Sequence, residues 1–283
     1  MSGAIPLFSI ITPVYNGARY LTDLIDSVQA QTYENYEHII VDDGSTDDGA
    51  TVRVIKRYAD TDPRIHWWTR ENKGQYESQN EAIEAAQGTY VLVISADDRL
   101  YDNAVLQDLA DYLTQHPHYD FAYGKTAYIN HINEPQPDIA LTWSPSTWLI
   151  KHVVYAQHCS LFVKRQFLRD HTIGFDSSLH YTGDWDWLIR VFESTDQIGY
   201  VKRFIGTIRL HSAQTSRQAH QDKIQQEHRL ISARYGGSYR VHRLITWANN
   251  YRAMALIALD TLKTRGLGAM LKRIGRRLSP RKN

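Results

Sequence analysis

Two adjacent carboxylates, Asp97 and Asp98, directly follow the apolar run 90–95 and are strong candidates for chemistry. Carboxylate oxygens are the ligands that Mg²⁺ and Mn²⁺ prefer, and such sites often combine one or two carboxylates with substrate phosphates. Adjacent aspartates after a strand also commonly open a turn and cap the next helix. The pair therefore predicts either a divalent-metal site or a simple turn.

A second acidic turn lies in the segment IIVDDGSTDDG (39–49), which ends an apolar run. A Gly-rich turn after a strand usually holds a phosphate through backbone N–H groups. The side chains of Asp42, Asp43, Asp47 and Asp48 would instead repel a phosphate. Either this segment is only a turn, or its acids accept hydrogen bonds from a nucleobase N–H or from ribose hydroxyls.

The chain up to residue 116 alternates short apolar strands with amphipathic helices. Predicted strands cover residues 8–15, 37–41, 64–69 and 90–95, and predicted helices cover 18–31, 51–58, 75–86 and 103–115. Asp102 is expected to cap the last of these helices, and Gly88 to end the third. The alternation indicates βαβ units and a parallel sheet, in which ligands bind at the carboxyl ends of the strands. Three polar turns fall at those ends, at residues 13–16, 42–48 and 97–98.

The pattern changes after residue 116. Further strands are predicted at residues 121–128, 159–163 and 200–211, with a helix in GDWDWLIRVF at 183–192. The first two of these strands are separated by a long segment rich in Pro and Trp, and such segments are often functional lids. Trp143 and Trp148 in this segment could stack on an acceptor sugar or serve only as packing.

Composition is that of an ordinary globular protein of 283 residues, with 42% hydrophobic and 22% charged residues. This length allows one large domain or two closely packed ones. The single cysteine, Cys159, excludes an intrachain disulfide and is expected to be a small buried residue rather than a nucleophile. Neither a signal peptide nor a membrane-spanning run is evident, so the expected location is the cytoplasm.

Charge is distributed unevenly along the chain. Residues 261–283 carry eight Lys or Arg and no acid, which leaves 24 basic and 31 acidic residues in the first 260. An acidic body argues against nucleic-acid binding by that part. In the tail, apolar residues at helical spacing predict a helix on an anionic membrane surface at the cytoplasmic face. A terminal helix packed on the body, or an RNA contact by the tail, are the alternatives.

The chain resembles the family 2 inverting glycosyltransferases. The resemblance lies in FSIITPVYNGARYL, QTYENYEHIIVDDGSTD, KGQYESQNEAIEAAQGTYVLVISADD, QHCSLFVKR, GFDSSLHYTGDWDWLIRV and IRLHSAQTS, in that order, and covers residues 7–217. It implies the GT-A fold: an α/β, Rossmann-like mixed and mostly parallel sheet flanked by helices, here with a C-terminal helical extension. It also implies nucleotide-diphosphate sugars as donors and a divalent metal, Mn²⁺ or Mg²⁺, as cofactor.

The resemblance implies a role for each matched position. The base-pocket positions of the family correspond to Thr12, Pro13 and Tyr15. Asp43 is implied to contact the base or ribose, Asp97 the ribose or diphosphate, and Asp98 the metal. Asp184, in GDWD, is implied to be the catalytic base. Two positions depart from the common pattern. Ser95 stands where many members carry an acid, so metal ligation rests more on Asp98, and Gly183 stands where many carry Glu, which leaves Asp184 as the sole candidate base in GDWD.

Other polar residues near these motifs are weaker candidates. His211 ends a predicted strand and is either structural or, as a histidine in this part of the fold sometimes does, completes the metal or diphosphate site. His158 is expected to bind substrate in the acceptor half. Arg70, Lys73 and Gln75 follow the third strand and are expected to approach the diphosphate.

Two acids in GDWD have simple structural alternatives. Asp184 could only cap the helix that follows, instead of acting as a base. Asp186 has Arg190 four residues later, and a surface ion pair is the expected arrangement.

These observations predict a metal-dependent inverting glycosyltransferase that uses a UDP-sugar, with dTDP- and GDP-sugars as second choices. The acceptor is expected to be a glycan or a lipid-linked glycan. Residues 1–116 would bind the nucleotide sugar, residues 117–217 would form the acceptor-binding and catalytic half, and residues 218–283 would form a basic helical extension. The alternatives are a non-catalytic nucleotide- or glycan-binding module and a sugar nucleotidyltransferase, although TPVYNGARY lacks the Gly- and Lys-rich loop that the latter needs.

Overall fold

The computed structural model describes residues 5–136, 144–211 and 220–249. The strands are β1 (Phe8–Val14), β2 (Tyr36–Asp42), β3 (Ile65–Thr69), β4 (Tyr90–Val93), β5 (Arg99–Leu100), β6 (Phe121–Asn130), β7 (Pro135–Gln136), β8 (Leu161–Lys164) and β9 (Ile198–Leu210). The helices are α1 (Ala18–Gln29), α2 (Ala50–Ala59), α3 (Gln75–Ala85), α4 (Val105–Gln115), α5 (Thr147–Ile150), α6 (Arg165–Asp170), α7 (Gly183–Glu193) and α8 (Gln221–Arg234). Another helical segment begins at residue 239.

These strands form a single mixed sheet in the order β3-β2-β1-β4-β8-β6-β9-β5, with β7 paired to β6. The ladders β3–β2, β2–β1, β1–β4 and β6–β9 are parallel, and they contain most of the paired positions. Strand β8 is antiparallel to both β4 and β6 and joins the two parallel groups. Every element predicted before residue 116 agrees with the observed one within two residues.

Helices cover both faces of the sheet because neighbouring residues of each central strand point to opposite sides. Ile10 and Ile40 pack in one apolar cluster with residues of α1 and α4. Ile11 and Ile39 pack in a second cluster with residues of α3 and α7. Full burial of one such side chain stabilises the fold by about 2 kcal/mol. The two clusters hold the strands so that the carboxyl ends of β1, β2 and β4 meet at one edge.

Helix α1 shows how the sequence specifies this arrangement. Leu21, Leu24, Ile25 and Val28 are fully buried and recur at the spacing of one helical face. This face packs on the sheet and confirms the predicted apolar stripe. The helix begins directly after the polar turn that follows β1, so its position fixes that turn.

The expected roles of Gly88 and Asp102 at helix ends are wrong. The C-cap residue of α3 is Ala86. A Cβ on Gly88 would lie 2.5 Å from the Ser9 hydroxyl oxygen, so this glycine permits close packing against β1. The N-cap residue of α4 is Ala104, whose backbone N–H donates to Asp102 Oδ1 at 3.0 Å.

Other differences from the predicted elements lie after residue 116. Cys159 is buried as expected, but it belongs to a short 3₁₀ turn that precedes β8, and burial raises the pKa of its thiol. Trp148 is 60% exposed on α5 and stacks on His152, whereas Trp143 lies outside the described residues.

Helix α8 packs against α7 through a buried polar network. Asp186 is only 1% exposed and accepts hydrogen bonds from Arg190, Arg234 and the Tyr235 hydroxyl. The expected pair between Asp186 and Arg190 is confirmed at 2.8 Å, but its expected surface location is wrong, because α8 covers this side of α7 and buries Asp186. Among the described residues, no helix is long and apolar enough to cross a bilayer. The tail 261–283, with its predicted membrane contact, lies outside the described residues.

Candidate active site

An open cleft of about 790 Å³ lies at the edge where β1, β2 and β4 end. Nine of the residues singled out from the sequence line it: Pro13, Tyr15, Asp43, Gln75, Asp97, Asp98, His158, Asp184 and His211. These residues come from widely separated parts of the chain, and parallel strand pairing brings the first of them to the same edge.

Thr12 and Arg70 do not line this cleft. Thr12 is fully buried, and its hydroxyl forms a 2.9 Å hydrogen bond with Nε2 of His38. Arg70 Nη1 lies 3.0 Å from a carboxylate oxygen of Glu81, and Arg70 Nε lies 3.6 Å from Asp43 Oδ1. Arg70 lies behind the cleft surface next to Asp43, which does line it, whereas the partner of Thr12, His38, lies outside the cleft.

The Asp43 side chain connects two loops at the cleft. Its Oδ2 accepts a 2.9 Å hydrogen bond from the Gly74 backbone N–H, and its Oδ1 accepts a 3.2 Å bond from the Lys73 backbone N–H. Lys73 therefore contacts Asp43 through its backbone. Gly74 has φ +94°, a conformation that side-chain-bearing residues rarely adopt. A carboxylate with free lone pairs facing the cleft can still accept a hydrogen bond from a ligand.

Two other acids of the second turn, Asp42 and Asp47, form hydrogen bonds within the protein. Asp47 Oδ2 accepts a 2.6 Å hydrogen bond from the Thr51 hydroxyl in the first turn of α2. Burial opposes ionisation of Asp47, but the hydrogen bonds from Thr51 hold its pKa below the ordinary value. Asp42 Oδ1 accepts from the Ser45 backbone N–H. Two of the four acids of this turn, Asp42 and Asp47, thus have a local structural role.

Asp97 and Asp98 differ in their surroundings. Asp98 is 4% exposed, and its Oδ1 accepts a 3.0 Å hydrogen bond from the Arg209 backbone N–H. Burial, reinforced by the negative charge of Asp97, raises the pKa of Asp98 well above its ordinary value. Asp97 is more exposed, and its Oδ2 lies 2.7 Å from Nε2 of His211.

The surroundings of Asp98 fit a divalent cation. Within residues 5–136, 144–211 and 220–249, no group of three or more His, Cys, Asp and Glu side chains is arranged to hold a metal. A Mg²⁺ or Mn²⁺ site completed by substrate phosphates does not need such a group. A cation beside Asp98 and Asp97 would offset the repulsion that raises the pKa of Asp98.

A fully buried arginine, which sequence reasoning missed, holds the Asp97–Asp98 turn. Arg209 Nε donates a 2.8 Å hydrogen bond to the Asp97 carbonyl. Its two terminal nitrogens donate to Asn133 Oδ1 at 2.6 Å and to Asp23 Oδ2 at 2.9 Å. The only signal in the sequence was a charged residue within the apolar strand IGTIRL, where a buried partner had to exist.

Asp184 lies in the first turn of α7, where the helix N-terminus faces the cleft. Its Oδ2 lies 3.6 Å from Nδ1 of His158. Both ring nitrogens of His158 are buried without a hydrogen-bond partner among the described residues. The residue before the helix is Thr182, so the alternative of Asp184 as the helix N-cap is wrong.

Tyr76, which was also missed, explains the glycine before Asp184. The Tyr76 hydroxyl accepts a 2.9 Å hydrogen bond from the Gly183 backbone N–H. A Cβ at position 183 would lie 2.7 Å from the tyrosine ring, so no acidic side chain fits there. Burial, together with the charge of Asp184, raises the pKa of Tyr76. The fragment GQYESQN offered no signal for this contact, which joins residues 107 positions apart.

Residues 9–173 match the model of the glycosyl transferase family 2, which is more than half of the chain. The chain belongs to this family. An uncharacterized glycosyltransferase of Rickettsia bellii (strain RML369-C) is 32% identical over 224 residues, which is 75% of this chain and 31% of that protein. The chain spans about a third of the length of this and two other Rickettsia relatives.

Solved structures share the fold. S. aureus TarS 1–349 in complex with UDP-GlcNAc aligns with a TM-score of 0.65 at 18% identity, over 95% of this chain and 80% of that one. The mannosyltransferase PcManGT from Pyrobaculum calidifontis, in complex with GDP-Man and Mn²⁺, aligns with a TM-score of 0.60 at 18% identity, over 98% and 81%. The predicted GT-A fold is confirmed, as is the resemblance to family 2.

Proposed function

We propose that this chain is an inverting glycosyltransferase that moves a sugar from a nucleotide-diphosphate donor to a glycan or lipid-linked glycan. The observation that carries the proposal is the convergence of four acids on one cleft. Asp43, Asp97, Asp98 and Asp184 come from three distant segments, and all of them line it. A binding module would not need a carboxylate at each of these places.

The donor half of the cleft is assigned to residues 1–116. Pro13 and Tyr15 would contact the base, Asp43 the base or ribose, and Gln75 the diphosphate. Arg70 would act through Asp43, which it approaches from behind. A UDP-sugar is the first choice of donor, supported by the UDP-GlcNAc bound to TarS. GDP-Man in the mannosyltransferase PcManGT keeps GDP-sugars among the candidates to be tested.

Asp98, with Asp97 and His211 beside it, would hold the divalent cation. When bound, Mn²⁺ or Mg²⁺ would neutralise the negative charge that develops on the departing nucleoside diphosphate. Support comes from the raised pKa of Asp98, whose burial next to Asp97 leaves negative charge that a cation can balance. The Mn²⁺ of the PcManGT structure is consistent with this assignment.

Asp184 is assigned as the general base. One of its carboxylate oxygens would accept the proton of the acceptor hydroxyl while that oxygen attacks the anomeric carbon opposite the diphosphate, so the configuration inverts once. The carboxylate faces the cleft, with His158 Nδ1 3.6 Å from Oδ2. Within the described part of the chain neither ring nitrogen of His158 has a hydrogen-bond partner, so this ring could hydrogen-bond an acceptor hydroxyl.

The acceptor side is assigned to residues 117–217, and residues 218–283 to a C-terminal extension. The eight basic residues of segment 261–283 support contact with an anionic membrane surface, where a lipid-linked acceptor would be found.

The test is a donor screen with purified full-length chain, using UDP-, dTDP- and GDP-sugars with and without Mn²⁺. We expect metal-dependent hydrolysis or transfer with a UDP-sugar; binding of GDP but not UDP would overturn the choice of donor. Asp184→Asn should keep nucleotide binding and lose transfer by roughly 100-fold or more. The matched control is Asp196→Asn, which changes an exposed acid outside the cleft. Full transfer activity in Asp184→Asn would overturn the assigned base.

A further inference from the structure

Glu227, on α8, accepts four hydrogen bonds from the segment that leads into α7. Its Oε1 accepts from the His180 backbone N–H at 2.8 Å, and its Oε2 accepts from the backbone N–H groups of Tyr181 at 3.0 Å and Thr182 at 2.9 Å. The Thr182 hydroxyl also donates to Oε2, at 2.8 Å. One carboxylate therefore fixes three consecutive residues, and hydrogen bonds to an ionised acceptor are stronger than neutral ones.

This contact organises the chain just before α7 and does not reach the N–H groups inside the helix. The N-terminus of a helix carries backbone N–H groups without partners, and a Ser, Thr, Asp or Asn side chain usually supplies the acceptor. Thr182 precedes α7, but its side chain makes no such bond and donates to Glu227 instead. Glu227 thus organises the approach to α7 from 45 residues away in the chain.

Helix α8 is held in place by residues on the same face as Glu227. Ile224 and Ile231 are buried, and they lie three residues before and four residues after Glu227. One further turn along, Arg234 Nη1 donates to Asp186 at 2.6 Å. Ile231 belongs to the apolar cluster that contains α7 residues, and together with the Arg234–Asp186 pair it anchors α8, which carries Glu227, on α7.

The segment that Glu227 holds belongs to the cleft. His180 and Tyr181 line it, and Asp184 follows Thr182 by two residues. We infer that Glu227 is a positioning residue: by fixing residues 180–182 it sets where the Asp184 carboxylate stands relative to the acceptor. This inference rests on the proposed function, because it assigns Asp184 a reaction to perform.

Two variants and a matched control test the inference in the full-length chain. Glu227→Gln keeps the shape but puts an amide NH₂ against at least one N–H donor, and Glu227→Ala removes all four bonds. Asp222→Asn removes a carboxylate from an exposed position of the same helix. Initial rates of transfer, corrected for the folded fraction, would be measured with donor binding by calorimetry and amide exchange of peptides covering residues 178–190.

We expect kcat to fall about 10-fold in Glu227→Gln and about 100-fold in Glu227→Ala, because small displacements of reacting groups have effects of this size. Donor affinity should stay within about twofold, and the amides of residues 180–182 should exchange faster in both variants and not in Asp222→Asn. A role limited to stability would reduce the folded fraction and leave corrected kcat unchanged, which would overturn the inference. So would a loss of donor affinity that matches the loss of rate.

The results that would overturn the proposed function differ from those that would overturn the role of Glu227. If the wild-type chain transfers sugar from no donor, the proposed function is overturned. Amide exchange then still decides whether Glu227 holds residues 180–182: faster exchange in the Glu227 variants alone supports it, and unchanged exchange overturns it. If the wild type transfers sugar and both Glu227 variants match it, only the role of Glu227 is overturned.

Discussion

The Tyr76 hydroxyl accepts a hydrogen bond from the Gly183 backbone N–H at 2.9 Å, so a side chain of α3 fixes the backbone directly before Asp184. Together with Glu227, which holds residues 180–182, it controls the entry to α7 from two sides. The position of Asp184 is therefore set by contacts outside its own helix.

Removing the Tyr76 hydroxyl should lower transfer without unfolding the protein. Tyr76→Phe leaves the buried Gly183 N–H without its acceptor, and we expect a stability loss of about 1–2 kcal/mol and a reduced kcat. Urea unfolding and initial rates measure the two effects. Tyr101→Phe, which changes a 42% exposed tyrosine outside the cleft, serves as control. Equal rates for Tyr76→Phe and wild type would show that this bond does not position Asp184.

Replacing Asp98 by a neutral residue should abolish metal binding without lowering the stability of the fold. Because burial and Asp97 raise the pKa of Asp98, its charged form disfavours the metal-free fold at pH 7, so Asp98→Asn should unfold at the same or a higher temperature. The increase in Tm that UDP and Mn²⁺ produce in the wild type should disappear in the variant. Differential scanning fluorimetry with and without each ligand measures both effects. An undiminished Mn²⁺-dependent shift would remove Asp98 from the metal site.

Acidification should destabilise the protein through buried neutral histidines. Burial lowers the pKa of His228 to about 4, helped by neighbouring His242 and opposed by the charges of Asp184 and Glu227. In the unfolded chain a histidine has its ordinary pKa of about 6.5, so between pH 6.5 and 4 the unfolded state binds the proton and the folded state does not. The stability that this group contributes is present above pH 6.5 and is lost as the pH falls toward 4.

The effect can be measured by urea unfolding at several pH values between 7.5 and 4.5. His228→Phe should reduce the pH-dependent loss by roughly 1–2 kcal/mol, a value discounted for the partial exposure of this side chain. His118→Phe changes an exposed histidine and should leave the slope unchanged. A variant slope identical to that of the wild type would show that His228 does not stay neutral in the fold.

The fully buried guanidinium of Arg209 should be irreplaceable by lysine. Arg209 uses three separate nitrogens to bond Asp97, Asn133 and Asp23, whereas lysine carries all its donors on one nitrogen, so Arg209→Lys should leave buried polar groups unpaired and cost about 3–5 kcal/mol. Arg203→Lys is a matched control on the same strand, because Arg203 pairs with surface acids and its replacement should cost less than about 1 kcal/mol. Equal unfolding free energies for the two variants would contradict the structural role of Arg209.

Much of the fold and half of the site follow from local sequence patterns. Apolar periodicity located the strands and helices before residue 116, and parallel pairing necessarily brings the polar turns after β1, β2 and β4 to one edge. Asp43 and Asp98 could be assigned to the cleft for this reason. The roles of Asp184 and His158 required the family resemblance, because their approach depends on how distant segments pack.

The residues that sequence reasoning missed share one property: their partners lie far away in the chain. Tyr76 contacts Gly183, and Glu227 contacts Thr182, and no local pattern encodes either pairing. Asp186 illustrates the same limit of sequence reasoning. Its arginine at i+4 suggested a pair at the surface, and the sequence could not show that α8 buries Asp186. The periodicity of apolar residues shows which face of a helix or strand is buried. Tertiary packing decides which residues that face contacts.

The buried arginine of β9 also determines when a newly synthesised chain can complete its active site. Arg209 reaches the carbonyl of Asp97, which is 112 residues earlier, and β5 pairs with β9 directly after that aspartate turn. At typical elongation rates of about 5–20 residues per second, the ribosome needs roughly 6–20 seconds to span this interval. During that time the turn of Asp97 and Asp98 lacks its bond to Arg209, so nascent chains released before β9 is synthesised should be inactive.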